Sequence, residues 1–279
     1  MSTVTITASD ISKLRQLTGA GMMDCRKALT ETNGNMEEAI DWLRKKGQKV
    51  AALRGDRDAK EGVVLAKTTA DNKAGIALCL SCETDFVSKN QDFVAFAQDI
   101  IDAAIANNAK SVEELNEIKI NGAKITDQIN DKLASIGEKI EISKFERVEG
   151  EYVASYIHGA NRMGVLVALT KEAPGAGKDV AMQIAAMSPV AIDATSVPVE
   201  TIERERSIVT DQIAADPKMA GKPDEMIAKI AEGKLNTFFK EQTLLAQPFV
   251  KDSSKSVGDY LKSVDDSLKV TAFKRVSLG

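Results

Sequence analysis

Four places in this 279-residue chain hold residue types that do chemistry in other proteins. Cys79-Leu80-Ser81-Cys82 is a C-x-x-C, the spacing of thiol–disulfide and zinc sites, which need both sulfurs on one side. Ile76, Leu78 and Leu80 alternate through it and predict a strand, where positions three apart face opposite ways. With one histidine and one further cysteine, Cys25, in the chain, nothing completes a metal or redox site, and packing is the expected role. Gly175-Ala176-Gly177-Lys178-Asp179 carries the lysine of a phosphate loop. The loop's first glycine is replaced by Glu172 and its Ser/Thr by Asp179, and acids there repel phosphate. Gly19-Ala20-Gly21 lacks the strand and third glycine of a dinucleotide fingerprint and reads as a helix–helix turn. His158, in His158-Gly159-Ala160-Asn161-Arg162, has no Ser, Cys or Asp nearby to build a triad and reads as a turn histidine. No catalytic residue, cofactor or metal is expected.

Two other segments are harder to assign to packing. In Cys82-Glu83-Thr84-Asp85-Phe86-Val87-Ser88-Lys89-Asn90, Phe86 lies after the strand and before an apolar stripe that begins at Phe93. It belongs to neither periodicity. It is either a staple beneath the helix, which the residues alone favour, or an exposed anchor. In Leu14-Arg15-Gln16-Leu17-Thr18-Gly19-Ala20-Gly21-Met22-Met23-Asp24-Cys25-Arg26-Lys27-Ala28-Leu29, the neighbours Met22 and Met23 do not both face one helix core. The odd one out is a gap-filler or part of a soft apolar contact surface, for which flexible, polarizable Met is suited.

The 37 Lys/Arg nearly balance the 41 Asp/Glu, a net charge of −4, whereas nucleic-acid-binding domains carry a basic excess. Residues 1–60 hold 11 basic and 8 acidic side chains, so the remainder is mildly acidic. With 43% hydrophobic and 28% charged residues the chain has the composition of a soluble globular protein. No apolar run approaches the ~18 residues of a membrane span, and the N-terminus MSTVTITASD lacks the basic and apolar regions of a secretory signal. Three cysteines, an odd number, suit a reducing compartment. The expectation is a cytoplasmic protein with neither a membrane nor a direct nucleic-acid partner.

The elements that must position these residues read as an α+β chain. Residues 9–47 predict three short helices: Ile11, Leu14 and Leu17; then Met22, Cys25, Ala28 and Leu29; then Met36, Ala39, Ile40 and Leu43, with Gly47 as a C-cap. The pattern Asn33-Gly34-Asn35-Met36-Glu37-Glu38-Ala39-Ile40-Asp41-Trp42-Leu43 resembles ubiquitin-associated (UBA) domains. Residues 48–60 read as a charged linker whose start is open to being helical. Strands at 63–69 and 75–80 form a hairpin, followed by a helix with Phe93, Phe96, Ala97, Ile100, Ile101 and Ala104 on one face. The plan recurs after Glu149-Gly150, with strands at 152–157 and 165–169 and a helix at 179–187. Residues 111–135 are expected to be a charged helical crossing. Helices at 199–214 and 224–240, separated by the proline-bounded stretch 215–223, predict an antiparallel hairpin, and 270–276 a closing strand. The division expected is 1–54, 55–140, 141–197, 198–240 and 241–279, the last completing the second half of a duplicated core.

The two harder segments together closely resemble the signature motifs of the elongation factor Ts family. So do Ser155-Tyr156-Ile157-His158-Gly159, Arg162-Met163-Gly164-Val165-Leu166-Val167, Gln247-Pro248-Phe249-Val250 and Ser256-Val257-Gly258. The resemblance implies a guanine nucleotide exchange factor for elongation factor Tu, with no chemistry of its own. It implies that Thr84, Asp85, Phe86 and Val87 enter near the partner's Mg²⁺ site, Phe86 wedging between helices of the GTPase domain. It further implies that His158 reaches another pocket and that Arg15, Met22 and Met23 meet a partner helix. It leaves room for a homodimer through the helical hairpin. The sequence departs from the family where Ser81-Cys82 replaces the usual Asn-Cys, and where Val276-Ser277-Leu278-Gly279 stands in place of the further helix of some members.

Overall fold

A computed structural model describes residues 5–54, 56–217 and 222–279, leaving aside the side chains of residues 48–54. Three helices open the chain: α1 (Ala8–Thr18), α2 (Met22–Glu31) and α3 (Met36–Arg54). They enclose Leu14, Ala20, Cys25, Ala28, Leu29, Ala39 and Leu43. Leu17 and Met22, which fit the expected stripes, are instead exposed, because the three-helix contact covers a narrower face than the spacing allows.

The first half of the core starts with β1 (Glu61–Thr68) and β2 (Ala74–Cys82), an antiparallel hairpin with Glu61 opposite Cys82. A four-residue turn of helix, α4 (Asp85–Ser88), leads into α5 (Gln91–Ala106), whose buried residues are the expected six. The crossing is not one helix. It divides into α6 (Val112–Glu117), a hairpin of β3 (Lys119–Ile120) and β4 (Ala123–Lys124) around left-handed Asn121 and Gly122, and α7 (Ile125–Ile136). A strand unforeseen in the sequence reading follows, β5 (Glu141–Glu149), which pairs with β2 and gives the order β1-β2-β5.

Packing on α7 also explains the length of α3. Gly47 is no C-cap but an interior residue of α3, which continues to Arg54. A Cβ at Gly47 would lie 2.9 Å from the Ala134 Cβ and 3.2 Å from the Asn130 carbonyl oxygen, both on α7. The glycine marks close helix–helix approach rather than a helix end.

The second half repeats the plan. β6 (Tyr152–His158) and β7 (Met163–Leu169) form a hairpin, α8 (Pro174–Met187) follows, and the last strand joins β7 on its far side. The α8 helix starts earlier than expected, at Pro174 in its first turn, so the glycine-rich stretch is helix packed on the sheet and not a loop. Further along come a 3₁₀ turn (Ala194–Ser196), α9 (Val199–Ala215), α10 (Asp224–Gln242), β8 (Pro248–Phe249), β9 (Asp252–Ser256), α11 (Val257–Val264) and β10 (Val270–Ser277). β10 pairs with β7, giving β10-β7-β6. The α9 and α10 helices lie against each other, with Lys234 Nζ donating to Gln212 Oε1 at 3.1 Å. Residues 218–221 of the expected break lie outside the described residues.

The two antiparallel sheets stack through Val64, Ala66, Ala77, Cys79, Val148, Val153, Leu166, Ala168 and Val276. Their outer faces carry α5 and α8. A strand between a helix and a second sheet has no wet face, which is why β2 is buried along its whole length and not on alternate residues. The halves also exchange equivalent backbone bonds. Val153 N donates to the Asn72 carbonyl at the first hairpin tip (2.6 Å), and Val64 N to the Asn161 carbonyl at the second (2.7 Å). Each tip therefore sits beside the first strand of the other half.

Candidate functional site

The chain leaves β2 at buried Cys82 and turns sharply before α5. Within that turn, successive helical positions lie about 100° apart, so Phe86 and Val87 do not face the same way. Val87 packs against the core under α5, and Phe86 points outward with 84% of its surface exposed. The staple reading is therefore wrong for this chain. An exposed Phe held on an ordered turn is a ready-made contact anchor.

Its neighbours are held from both sides. Asp85 accepts from Lys89 Nζ at 2.6 Å, and that hydrogen bond, more than the lysine's charge, holds its carboxyl below the usual range. Asp85 therefore stays ionised across the neutral range. Thr84 precedes α4 in extended conformation and gives its amide and hydroxyl to the Glu138 carboxylate, at 3.0 and 2.7 Å. Asn90 caps α5 by accepting from Asp92 N at 2.8 Å.

His158 ends β6 exposed, its Nδ1 3.0 Å from the Tyr156 hydroxyl. The tip containing His158 borders β1, where Arg162 pairs with Glu61 at 3.6 Å, and Glu61 lies opposite Cys82 at the root of the Phe86 turn. The stacking of the halves thus brings opposite strand ends to one rim.

The helical bundle packs on α7. Arg15 is exposed, as are Met22 (61%), Met23 (74%) and Leu17 (60%), which the sequence reading had assigned to the core. Leu17, Thr18 and Ala20 share a small cavity of about 90 Å³ with Asp131 and Ala134 of α7. Four residues after Ala134 comes Glu138, which holds Thr84. The α1–α2 junction is thus linked to the Phe86 turn through α7, and the Phe86 turn to the His158 tip through Glu61.

The cysteine pair behaves as packing. Cys79 faces the second sheet and Cys82 faces α5. Burial, reinforced by the Glu138 and Glu61 carboxylates, pushes the Cys82 thiol up to about 12, so it holds its proton at neutral pH. Among the described residues no three His, Cys, Asp or Glu side chains are grouped to hold a metal. Replacing Cys79 and Cys82 together by alanine is expected to change the activity proposed below by no more than ~3-fold, with some loss of packing stability. Stoichiometric zinc in the purified wild-type protein, measured by elemental analysis, would contradict this assignment.

Comparison with known proteins bears on the same region. The family model described as Elongation factor TS matches residues 83–279, beginning at the residue before Thr84. A protein named Elongation factor Ts from Christiangramia forsetii is 48% identical over 277 residues, covering 98% of this chain and 99% of the relative. That of Flavobacterium psychrophilum is 48% identical with 99% of each chain covered. A third, from Chlorobium phaeobacteroides, is 40% identical over 98% of this chain. The chain belongs to the elongation factor Ts family. As a Ts-family chain it carries the Phe86 turn, the His158 tip, β5 and the second sheet inside the matched segment, while β1, β2 and the bundle are covered by the full-length relatives. No helix among its described residues is long and apolar enough to cross a membrane.

Proposed function

We propose that this chain is a translation elongation factor acting as the guanine nucleotide exchange factor of elongation factor Tu. The observation that carries the reading is Phe86, an unburied ring on a turn held at both ends, next to an ionised carboxylate. GDP on a GTPase is held by backbone amides of a phosphate loop and by Mg²⁺, which offsets phosphate charge. A ring driven between helices of the partner shifts the elements that carry those amides. Asp85 then faces the Mg²⁺ region, where a second carboxylate competes for the ion or repels the phosphates. Its pair with Lys89 is solvent-exposed and costs little to open. At equilibrium, factor and nucleotide weaken each other equally, so acceleration of GDP release accompanies lowered GDP affinity. No bond is made or broken by this chain.

Thr84, Asp85, Phe86 and Val87 form the wedge in this reading, Val87 by seating it on the core. Arg15, Met22 and Met23 meet a helix of the GTPase domain, with Leu17 added to the same apolar surface, and His158 fills a further pocket. The units are a UBA-like bundle at 1–54, core halves at 55–140 and 141–197 with 241–279, and an inserted antiparallel helical hairpin at 198–240, through which two copies associate. The setting is cytoplasmic.

Stopped-flow release of fluorescent GDP from elongation factor Tu is the direct test. Micromolar chain is expected to raise the rate far above the spontaneous one. An unchanged rate would end the exchange reading.

A further inference from the structure

Residues 83–84 and 138–139 hold each other by side-chain-to-backbone bonds running in both directions. Glu83 Oε1 accepts from Lys139 N at 2.7 Å, and its Oε2 accepts from Arg57 Nη1 at 3.1 Å. In return Glu138 Oε2 accepts from Thr84 N at 3.0 Å and its Oε1 from Thr84 Oγ1 at 2.7 Å. Thr84 stands at the N-cap of α4, yet its hydroxyl makes no cap bond, because it is directed to Glu138. A four-residue helix has no stability of its own, since nucleating a turn costs more than one intrahelical bond returns. The direction of Phe86 therefore depends on what fastens the ends of that turn.

We propose that Glu138 is a positioning residue for the Phe86 wedge: its carboxylate clasps Thr84 and so fixes the direction in which the ring is presented. The proposal rests on the exchange reading above. Glu138 directly follows Gly137, the C-cap of α7, and α7 carries α3 through the close approach at Gly47. The clasp therefore also ties the wedge to the helix that supports the bundle, so that the two proposed contact surfaces keep a fixed relation. The carboxylate accepts from both Thr84 donors. A glutamine could keep both contacts, its oxygen accepting from the Thr84 amide and its NH₂ donating to the hydroxyl oxygen, whereas an alanine keeps neither.

Glu138→Ala removes both bonds, whereas Glu138→Gln is nearly isosteric, can keep both as weaker neutral ones and should retain most of the activity. For Glu138→Ala the expected result is a ~10-fold fall in the maximal rate of GDP release at saturating chain, with a smaller change in the concentration giving half that rate. The Thr84 amide should exchange its hydrogen ~10-fold faster in the free protein, while amides in the middle of β1 and β2 keep their protection. Because Glu138 acts through the ring, the same substitution in a Phe86→Ala background should cost less than ~2-fold. Full exchange activity in Glu138→Ala overturns the proposal, and so does an equal loss in the Phe86→Ala background. A wild-type chain that leaves GDP release unchanged overturns the exchange reading alone. Glu138's hold on the turn is then read from the Thr84 amide, where unaltered protection in Glu138→Ala overturns it.

Discussion

Phe86→Ala is expected to slow stimulated GDP release by roughly 10- to 100-fold while leaving the melting temperature within about 2 °C of wild type. The two halves of this expectation come from the same fact. With 84% of its surface in water, the ring contributes almost nothing to folding, and surface truncations shift stability by less than about 0.5 kcal/mol. If the ring enters a partner, it gains the ~1.5–3 kcal/mol of a fully buried aromatic, and that gain is lost with the side chain. Val87, one residue on, is the internal control. It packs under α5, so truncating it should lower the melting temperature before it affects exchange. Phe86→Ala melting like a core deletion, which costs ~3–5 kcal/mol, would mean the ring is buried in solution.

Gly62→Ala should be the most destabilising small substitution in the first sheet, at about 2–5 kcal/mol. Gly62 sits in β1 opposite Ser81 with φ of +155°, and an added Cβ would lie 2.4 Å from the Leu80 carbonyl oxygen and 2.8 Å from the Ser81 Cα. Both are backbone atoms in a strand buried on both faces, so neither gives way without moving the ladder. The ladder rung beside it, Glu61 opposite Cys82, is the one at which the Phe86 turn begins. Exchange activity should therefore fall along with stability. Denaturant unfolding measures the first effect. A midpoint unchanged by Gly62→Ala would show that β1 shifts freely against β2 at this end.

Which elements were legible in the sequence follows from how local their causes are. The α5 stripe and the α9 and α10 helices were legible because each element's own periodicity carries its signal. β5 was missed because Glu141, Lys144, Glu146, Arg147 and Glu149 mask its alternation, and only pairing with β2 makes it a strand. Gly47 reads as a stop because a glycine after a helical stripe ends most helices. Here α7, about 80 residues further along the chain, needs the missing Cβ. Leu17 and Met22 matched a core spacing and lie in water, since spacing defines a stripe but not how much of it a neighbour covers.

The sequence by itself determined the α+β class, the two hairpins with their following helices, the facing of Cys79 and Cys82 to opposite sides, and the oddness of Phe86 between two periodicities. It left the direction of Phe86 open, and it did not show that the His158 tip shares a rim with the Phe86 turn. Those were decided by contacts between residues far apart in the chain: Thr84 with Glu138, Val64 with Asn161, Arg162 with Glu61. Periodicity is a property of a segment's own backbone geometry, so a segment suffices to reveal it. Burial and orientation are properties of what the rest of the chain places against that segment, and no pattern within a dozen residues encodes a partner fifty or a hundred positions away.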